Sequence, residues 1–268
     1  MGLMKNYSIY FLFSILLIYF STIKSSNENI KNINNIDMEW GIKVEETNGE
    51  MDKMLLESFS NQNELASNTK ANIFIINDVS SSVPASKYAD TLTNFLMNIF
   101  INFEINPKYI NIAFSPSPGD SNLWVYLPTF NMYNDTTLLR NNINSSYYPI
   151  EGQQSHGQKQ LGSIIQFALN PEFLKTGYDG SYKPHIIFYL TTTSSPDSDT
   201  IKQAQKVINN GKFKIITIAY QPTDNVESLE KMSSCFFKAT NENNLLSLSI
   251  ALSRKITTAS STGTEYQC

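Results

Sequence analysis

Ile73-Phe74-Ile75-Ile76-Asn77-Asp78-Val79-Ser80-Ser81-Ser82-Val83 sets an apolar run against a short loop of one acid and three hydroxyls, with Pro84 and an amphipathic segment behind it. A run of Ile and Phe without polar alternation fits a strand covered on both faces, as in the middle of a parallel sheet. Working outward, further apolar runs at 109–114, 123–127, 186–190 and 213–220, with a short one at Phe236-Phe237, read as strands. Between them, Tyr88, Leu92, Phe95, Leu96, Ile99 and Phe103 recur at three and four, as do Leu161, Ile164, Ile165, Ala168 and Leu169. These are helical faces. Further helices are expected at about 200–209, ending at Gly211, and at about 243–256, with Leu245, Leu248, Leu252 and Ile256 on one side. Strands alternating with amphipathic helices predict an α/β fold: a doubly wound, mostly parallel six-stranded sheet flanked by helices.

The loop Asp78-Val79-Ser80-Ser81-Ser82 places an Asp and two Ser at alternate positions where a strand hands over to a helix. Hard oxygens gathered there suit Mg²⁺, which takes an octahedron of such ligands. The same residues also serve as a cap cluster for free backbone N–H groups, with Ser82 as N-cap and Pro84 in the opening turn. From about residue 71 to residue 256 the order of elements resembles the von Willebrand factor A-type (vWA) domain. In that family a D-x-S-x-S loop opens the metal-ion-dependent adhesion site. The resemblance implies candidate metal ligands at Asp78, Ser80 and Ser82, a Thr from a second loop, and an Asp after the fourth strand. The second loop resembles Gly157-Gln158-Lys159-Gln160-Leu161-Gly162, where Lys159 takes the Thr position, or Gln158 if the register slips by one. After the fourth strand, Tyr189-Leu190-Thr191-Thr192-Thr193 puts Thr192 where the carboxylate belongs. At about 4 Å and an effective dielectric near 20, each lost or reversed unit charge is worth roughly 4 kcal/mol before desolvation, so Mg²⁺ is disfavoured. Asp197 and Asp199 lie downstream, and Asp199, just before a helical run, reads as a cap.

The first six residues carry one cation, Lys5, and residues 7–20 are almost wholly apolar, followed by small and polar residues at 21–26. A signal peptide over 1–26 is expected, because about twenty apolar residues are needed to span a bilayer. An uncleaved anchor is the alternative, and would be the sole route to a membrane. Residues 27–70 read as a polar arm, 71–257 as the vWA domain and 258–268 as a Ser/Thr-rich tail without core residues. Loss of residues 1–26 removes Lys5 and Lys24 and no acid, leaving 18 cations against 24 anions and a formal charge of −6. Such a balance excludes a duplex-binding cationic stripe, so no nucleic-acid partner is expected.

Two cysteines, Cys235 and Cys268, are too few for a disulfide framework. Three arrangements are open: they pair with one another, Cys235 is a buried thiol, or Cys268 pairs between chains. Sequons at Asn134 and Asn144 fall in polar stretches expected to be loops, and are candidate glycosylation sites. No nucleophile elbow, phosphate-binding glycine loop or paired-histidine zinc motif occurs, so no catalytic residue and no enzyme activity are expected. His156 reads as a surface residue and His185 as a hydrogen-bonded histidine at the sheet. Phe236, Phe237 and Trp124 read as core, and Trp40 has no assignable role. The reading is a secreted, extracellular binding or adhesion-type module with a degenerate metal site. Its partner would be a protein ligand or matrix component, met at a rim formed by 78–82, 152–162 and 191–199. The alternative is a structural, matrix-like domain binding through side faces or tails. The dense Asn, Ile and Lys usage is similar to that of nematode members of the family.

Overall fold

The computed structural model of the protein describes residues 68–121, 128–148, 154–193, 196–222 and 225–268. Chain contacts divide the protein into units 1–52 and 53–268, and all of these residues belong to the second. The leader, nearly all of the arm, Trp40, Trp124 and the strand expected at 123–127 lie outside the described residues.

Five strands form one sheet: β1 Ala71–Asp78, β2 Ile110–Ser117, β3 His185–Thr191, β4 Lys214–Tyr220 and β5 Cys235–Ala239. Their order is β2-β1-β3-β4-β5, and every pair is parallel. The expected α/β doubly wound architecture is therefore present, with five described strands rather than six.

Among the described residues, seven α-helices accompany the sheet: α1 Ala85–Phe100, α2 Thr136–Ser146, α3 Lys159–Ile165, α4 Pro171–Leu174, α5 Ser198–Asn210, α6 Glu227–Lys231 and α7 Glu242–Thr262. Alternate residues of β1 point to opposite faces. Ile73 and Ile75 enter a core shared with α1, α2 and α7, whereas Phe74 and Ile76 enter one shared with α3 and α5. Both faces are sealed, which is why the strand carries no polar alternation.

Several local expectations change. Ser82 does not cap α1: Pro84 takes the cap position and no side chain bonds there, because the Ser82 hydroxyl turns toward His156. Asp197, not Asp199, caps α5 by accepting from the Thr200 N–H at 2.7 Å. Asn144 is not in a loop. It sits in α2, which Asp135 caps at Leu138 N–H, and the Asn144 amide donates to Asp90 at 3.1 Å.

The tail is also not free. Helix α7 continues past Ile256 to Thr262, and Tyr266 is 1% exposed within the core. Glu265 accepts from His185 N–H at 3.0 Å and pairs with Lys183. Cys268 is bonded to Cys235, with the Cα atoms 5.6 Å apart. The polar composition of 258–268 hid one buried aromatic and two fastenings, so the folded unit extends to the last residue.

Candidate functional site

In the order β2-β1-β3 the chain leaves β1 toward one side of the sheet and returns on the other. The loops at the carboxyl ends of β1 and β3 diverge there, opening the crevice in which α/β proteins bind ligands. Asp78 closes β1 and Thr191 closes β3. Asn77 is level with Leu190, so continuing the register sets Asp78 beside Thr191.

The second loop is brought in by a backbone zipper. Asp120 N–H donates to His156 O at 3.0 Å, Gln160 N–H to Gly119 O at 3.1 Å, and Ser155 N–H to Pro118 O at 3.1 Å. Lys159 N–H donates to Asp120 Oδ1 at 2.9 Å, and Ser81 N–H to Ser155 O at 3.1 Å. Gly119 and Gly157 make this approach possible. Both have positive φ, +82° and +84°, and a Cβ on Gly157 would stand 2.3 Å from Asp120 Oδ1.

The zipper delivers Gln158, which is 3% exposed, onto Asp78, which is 1% exposed. The Gln158 amide donates to Asp78 Oδ2 at 3.1 Å. Hydroxyls of Thr191 and Thr193 donate to the same oxygen at 2.7 and 3.1 Å. Ser80 N–H donates to Asp78 Oδ1 at 2.9 Å. Gln158 also meets the Tyr189 hydroxyl and, at 3.3 Å, that of Thr191. Burial, with the nearby Asp78 charge, raises the Tyr189 phenol well above its ordinary range. Tyr147, raised by the same two causes in the same order, stays protonated as well.

The candidate residues divide accordingly. Asp78 is central. Ser80 contributes its backbone N–H, and its buried hydroxyl has no partner among the described residues. Ser82 faces His156 Nδ1 at 3.3 Å. Lys159 is exposed and presents its backbone N–H to Asp120, so the side chain reaching Asp78 is that of Gln158. Thr192 is buried but is not among the groups bonded to Asp78. Tyr189 and Thr191, alternate residues of β3, share the face toward Asp78, and the next residue to reach it is Thr193. Thr191, Thr193, Tyr189 and the pair Gly119-Asp120 were not singled out from sequence. The available signal was the i, i+2 spacing of Tyr189, Thr191 and Thr193.

These residues do not fit a divalent cation. The donor set has one carboxylate, and three N–H or O–H groups within 3.1 Å occupy its Oδ2. Among the described residues no group of three or more His, Cys, Asp or Glu side chains is placed to hold a metal. A divalent ion needs those lone pairs and more charge.

Comparison with known proteins bears on the whole arrangement. The von Willebrand factor type A domain profile matches residues 72–250. The curated Protein irg-7 of Caenorhabditis elegans is 25% identical over 177 residues, covering 64% of this chain and 8% of that protein. Among solved structures, proximal thread matrix protein 1 from the mussel byssus superposes with a TM-score of 0.55 at 14% identity, over 71% of this chain and 48% of its own. The same protein is also known with a zinc-occupied metal-ion-dependent adhesion site, at a TM-score of 0.54 and 14% identity, over 70% of this chain and 46% of its own. The pilus adhesin SpaC of Lactobacillus rhamnosus GG gives 0.50 at 12% identity, over 70% of this chain and 30% of its own. This chain therefore spans less than a tenth of the curated relative and about half or less of these solved structures. The structural likenesses establish the fold, and the profile match covers most of the chain: the protein belongs to the von Willebrand factor type A domain family.

Proposed function

We propose that this chain is an extracellular, non-enzymatic binding module of the adhesion type, whose partner is a protein or matrix component met at the rim beyond β1 and β3. One observation carries the reading. The rim lies at the switch point of the sheet, and its outward groups are Ser81, Ser82, His156, Asp120 and Lys159, while the Asp78 carboxylate is turned inward and shared among internal donors. Binding through such a rim uses hydroxyl, imidazole and ammonium groups directly and is independent of divalent cations. The mussel matrix protein and the bacterial adhesin, both of this fold, support an extracellular setting. No helix of the described residues is long and apolar enough to cross a membrane.

A second reading, a matrix-like domain binding through a side face, is favoured by Leu246 and Ile250. They lie one turn apart on α7 and are 38% and 37% exposed. Solid-phase adhesion to extracellular-matrix preparations separates the two. Ser81→Arg with His156→Glu should reduce adhesion about tenfold or more, a loss of roughly 1.4 kcal/mol or greater, with Tm unchanged. If Ile250→Glu abolishes adhesion and the rim pair does not, the side face is the binding surface. A charge at Ser80 would be uninformative because that residue is fully buried.

Passage through a secretory pathway has a further consequence. Asn134 is exposed just before the α2 cap, whereas Asn144 lies in α2 with its amide on Asp90 and Ser146 of its sequon buried. Protein secreted from animal cells should carry one glycan, at Asn134. Asn134→Gln should remove the mobility shift on deglycosylation and Asn144→Gln should preserve it; the opposite pattern would refute the assignment.

A further inference from the structure

Asp78 is almost fully buried, and no cation is among the groups bonded to it. An isolated buried carboxylate is costly to desolvate unless its lone pairs are filled. Here they are filled from three segments far apart in sequence: Ser80 from the β1 loop, Gln158 from the second loop, and Thr191 and Thr193 from the end of β3. The amide orientation of Gln158 follows from its neighbours. Turning Oε1 toward Asp78 would set two acceptors against each other, so Nε2 must face the carboxylate. Its two hydrogens serve Asp78 and the hydroxyls of Tyr189 and Thr191.

We infer that the Gln158 amide is a built-in replacement for the cation that the fold family leads one to expect. It converts Asp78 from a metal ligand into a structural clasp that holds the three rim segments in one arrangement. The clasp operates whether or not the rim binds a protein. Where a metal would link the loops only when bound, the amide links them in every molecule, so the rim is preset and does not respond to divalent cations. The zipper of Gly119-Asp120 against 155–160 fits this role, since it fixes the backbone from which Gln158 reaches inward.

Two variants with opposite diagnostic signs test the clasp, with Tm and amide hydrogen exchange as readouts. Asp78→Asn turns an amide toward groups that already donate, so in chelator it should melt about 5 °C or more below the parent. Exchange protection should fall together in 78–82, 154–158 and 191–193. An idle metal ligand would behave in the reverse way: removing an unneutralised buried charge would raise Tm. Gln158→Glu replaces the donor by a second carboxylate at the same reach, and should melt well below the parent in chelator and recover with millimolar Mg²⁺. The parent itself should be indifferent to chelator and to Mg²⁺. The inference is overturned if Asp78→Asn equals or exceeds the parent in chelator. It is also overturned if Mg²⁺ raises the parent's Tm by several degrees through Asp78, or if Gln158→Glu folds with parental stability. Should Gln158→Glu not accumulate as folded protein, the parent and Asp78→Asn arms decide alone.

Discussion

Replacing Cys235 and Cys268 together by Ser is expected to lower stability by about 4 kcal/mol, and Tm by about 10 °C for a domain of this size. The bond joins the first residue of β5 to the last residue of the chain across a separation of 33, and a cross-link of that span removes much conformational freedom from the unfolded chain. Its folded-state setting adds to this. Helix α7 closes at Gly263, where Thr264 N–H reaches back to Ala259 O at 2.9 Å. The chain then places Glu265 against Lys183 and the start of β3, buries Tyr266, and brings Cys268 to β5, where Lys255 Nζ donates to its carbonyl at 2.8 Å. Without the bond, this strap is held by the Lys183–Glu265 ion pair, by hydrogen bonds from His185 N–H and Lys255 Nζ, and by one buried ring. Thermal melts of the double variant, and of the parent with and without reductant, measure the effect. Free-thiol labelling of the native protein should find none, and two reactive thiols in unreduced native protein would contradict the pairing.

The central strands were legible in the sequence because burial on both faces leaves unbroken Ile, Phe and Leu, and because α1 and α3 carry clear apolar faces. Helix α2 was not. Its stretch, Thr-Thr-Leu-Leu-Arg-Asn-Asn-Ile-Asn-Ser-Ser, buries only Leu139, Ile143 and Ser146, and three positions among polar residues do not make a pattern. The tail failed for a related reason: its burial rests on Ala259 and one Tyr, and its charged and covalent fastenings depend on partners distant in sequence. At the site, Asp78 was legible because strand, loop and helix are contiguous. Its partners were less so. Choosing between Lys159 and Gln158 required the register of a loop fixed by Gly119-Asp120, and passing over Thr192 for Thr191 required the pleat of β3. Periodicity reports which side of an element is buried, but not which element lies across from it.

Between pH 7 and 4 the protein is expected to lose about 3 kcal/mol of stability through one side chain, His185. His185 is 2% exposed, its ring packed at a tilt against Tyr178 with centroids 4.8 Å apart, and set where β3 begins beside β1. Asn72 Oδ1 accepts from Asn111 at 3.1 Å and from Asp179 N–H at 3.1 Å, so its amide nitrogen is the group facing His185 Nδ1 at 3.0 Å. Nδ1 must then be an acceptor, and the ring is neutral with its proton on Nε2. Burial dominates and lowers the His185 pKa to about 4, although Glu265, 3.9 Å from Nε2, pulls the other way. The folded value thus lies below the ordinary unfolded value of about 6.5. The unfolded state takes up the proton first, so the contribution is complete above pH 6.5, declines as pH falls, and is gone below about 4. Asp179, held low by its hydrogen bonds to Ser181, titrates beneath this window. His185→Phe keeps the tilted ring contacts with Tyr178 and Phe213 and leaves the Asn72 amide its 2.7 Å bond to Asp179 O. That variant should be somewhat less stable at pH 7 yet nearly flat between pH 6.5 and 4. Urea unfolding at half-unit pH steps gives both curves, and a parent as flat as His185→Phe would show that the ring is already protonated, or solvated, in the folded protein.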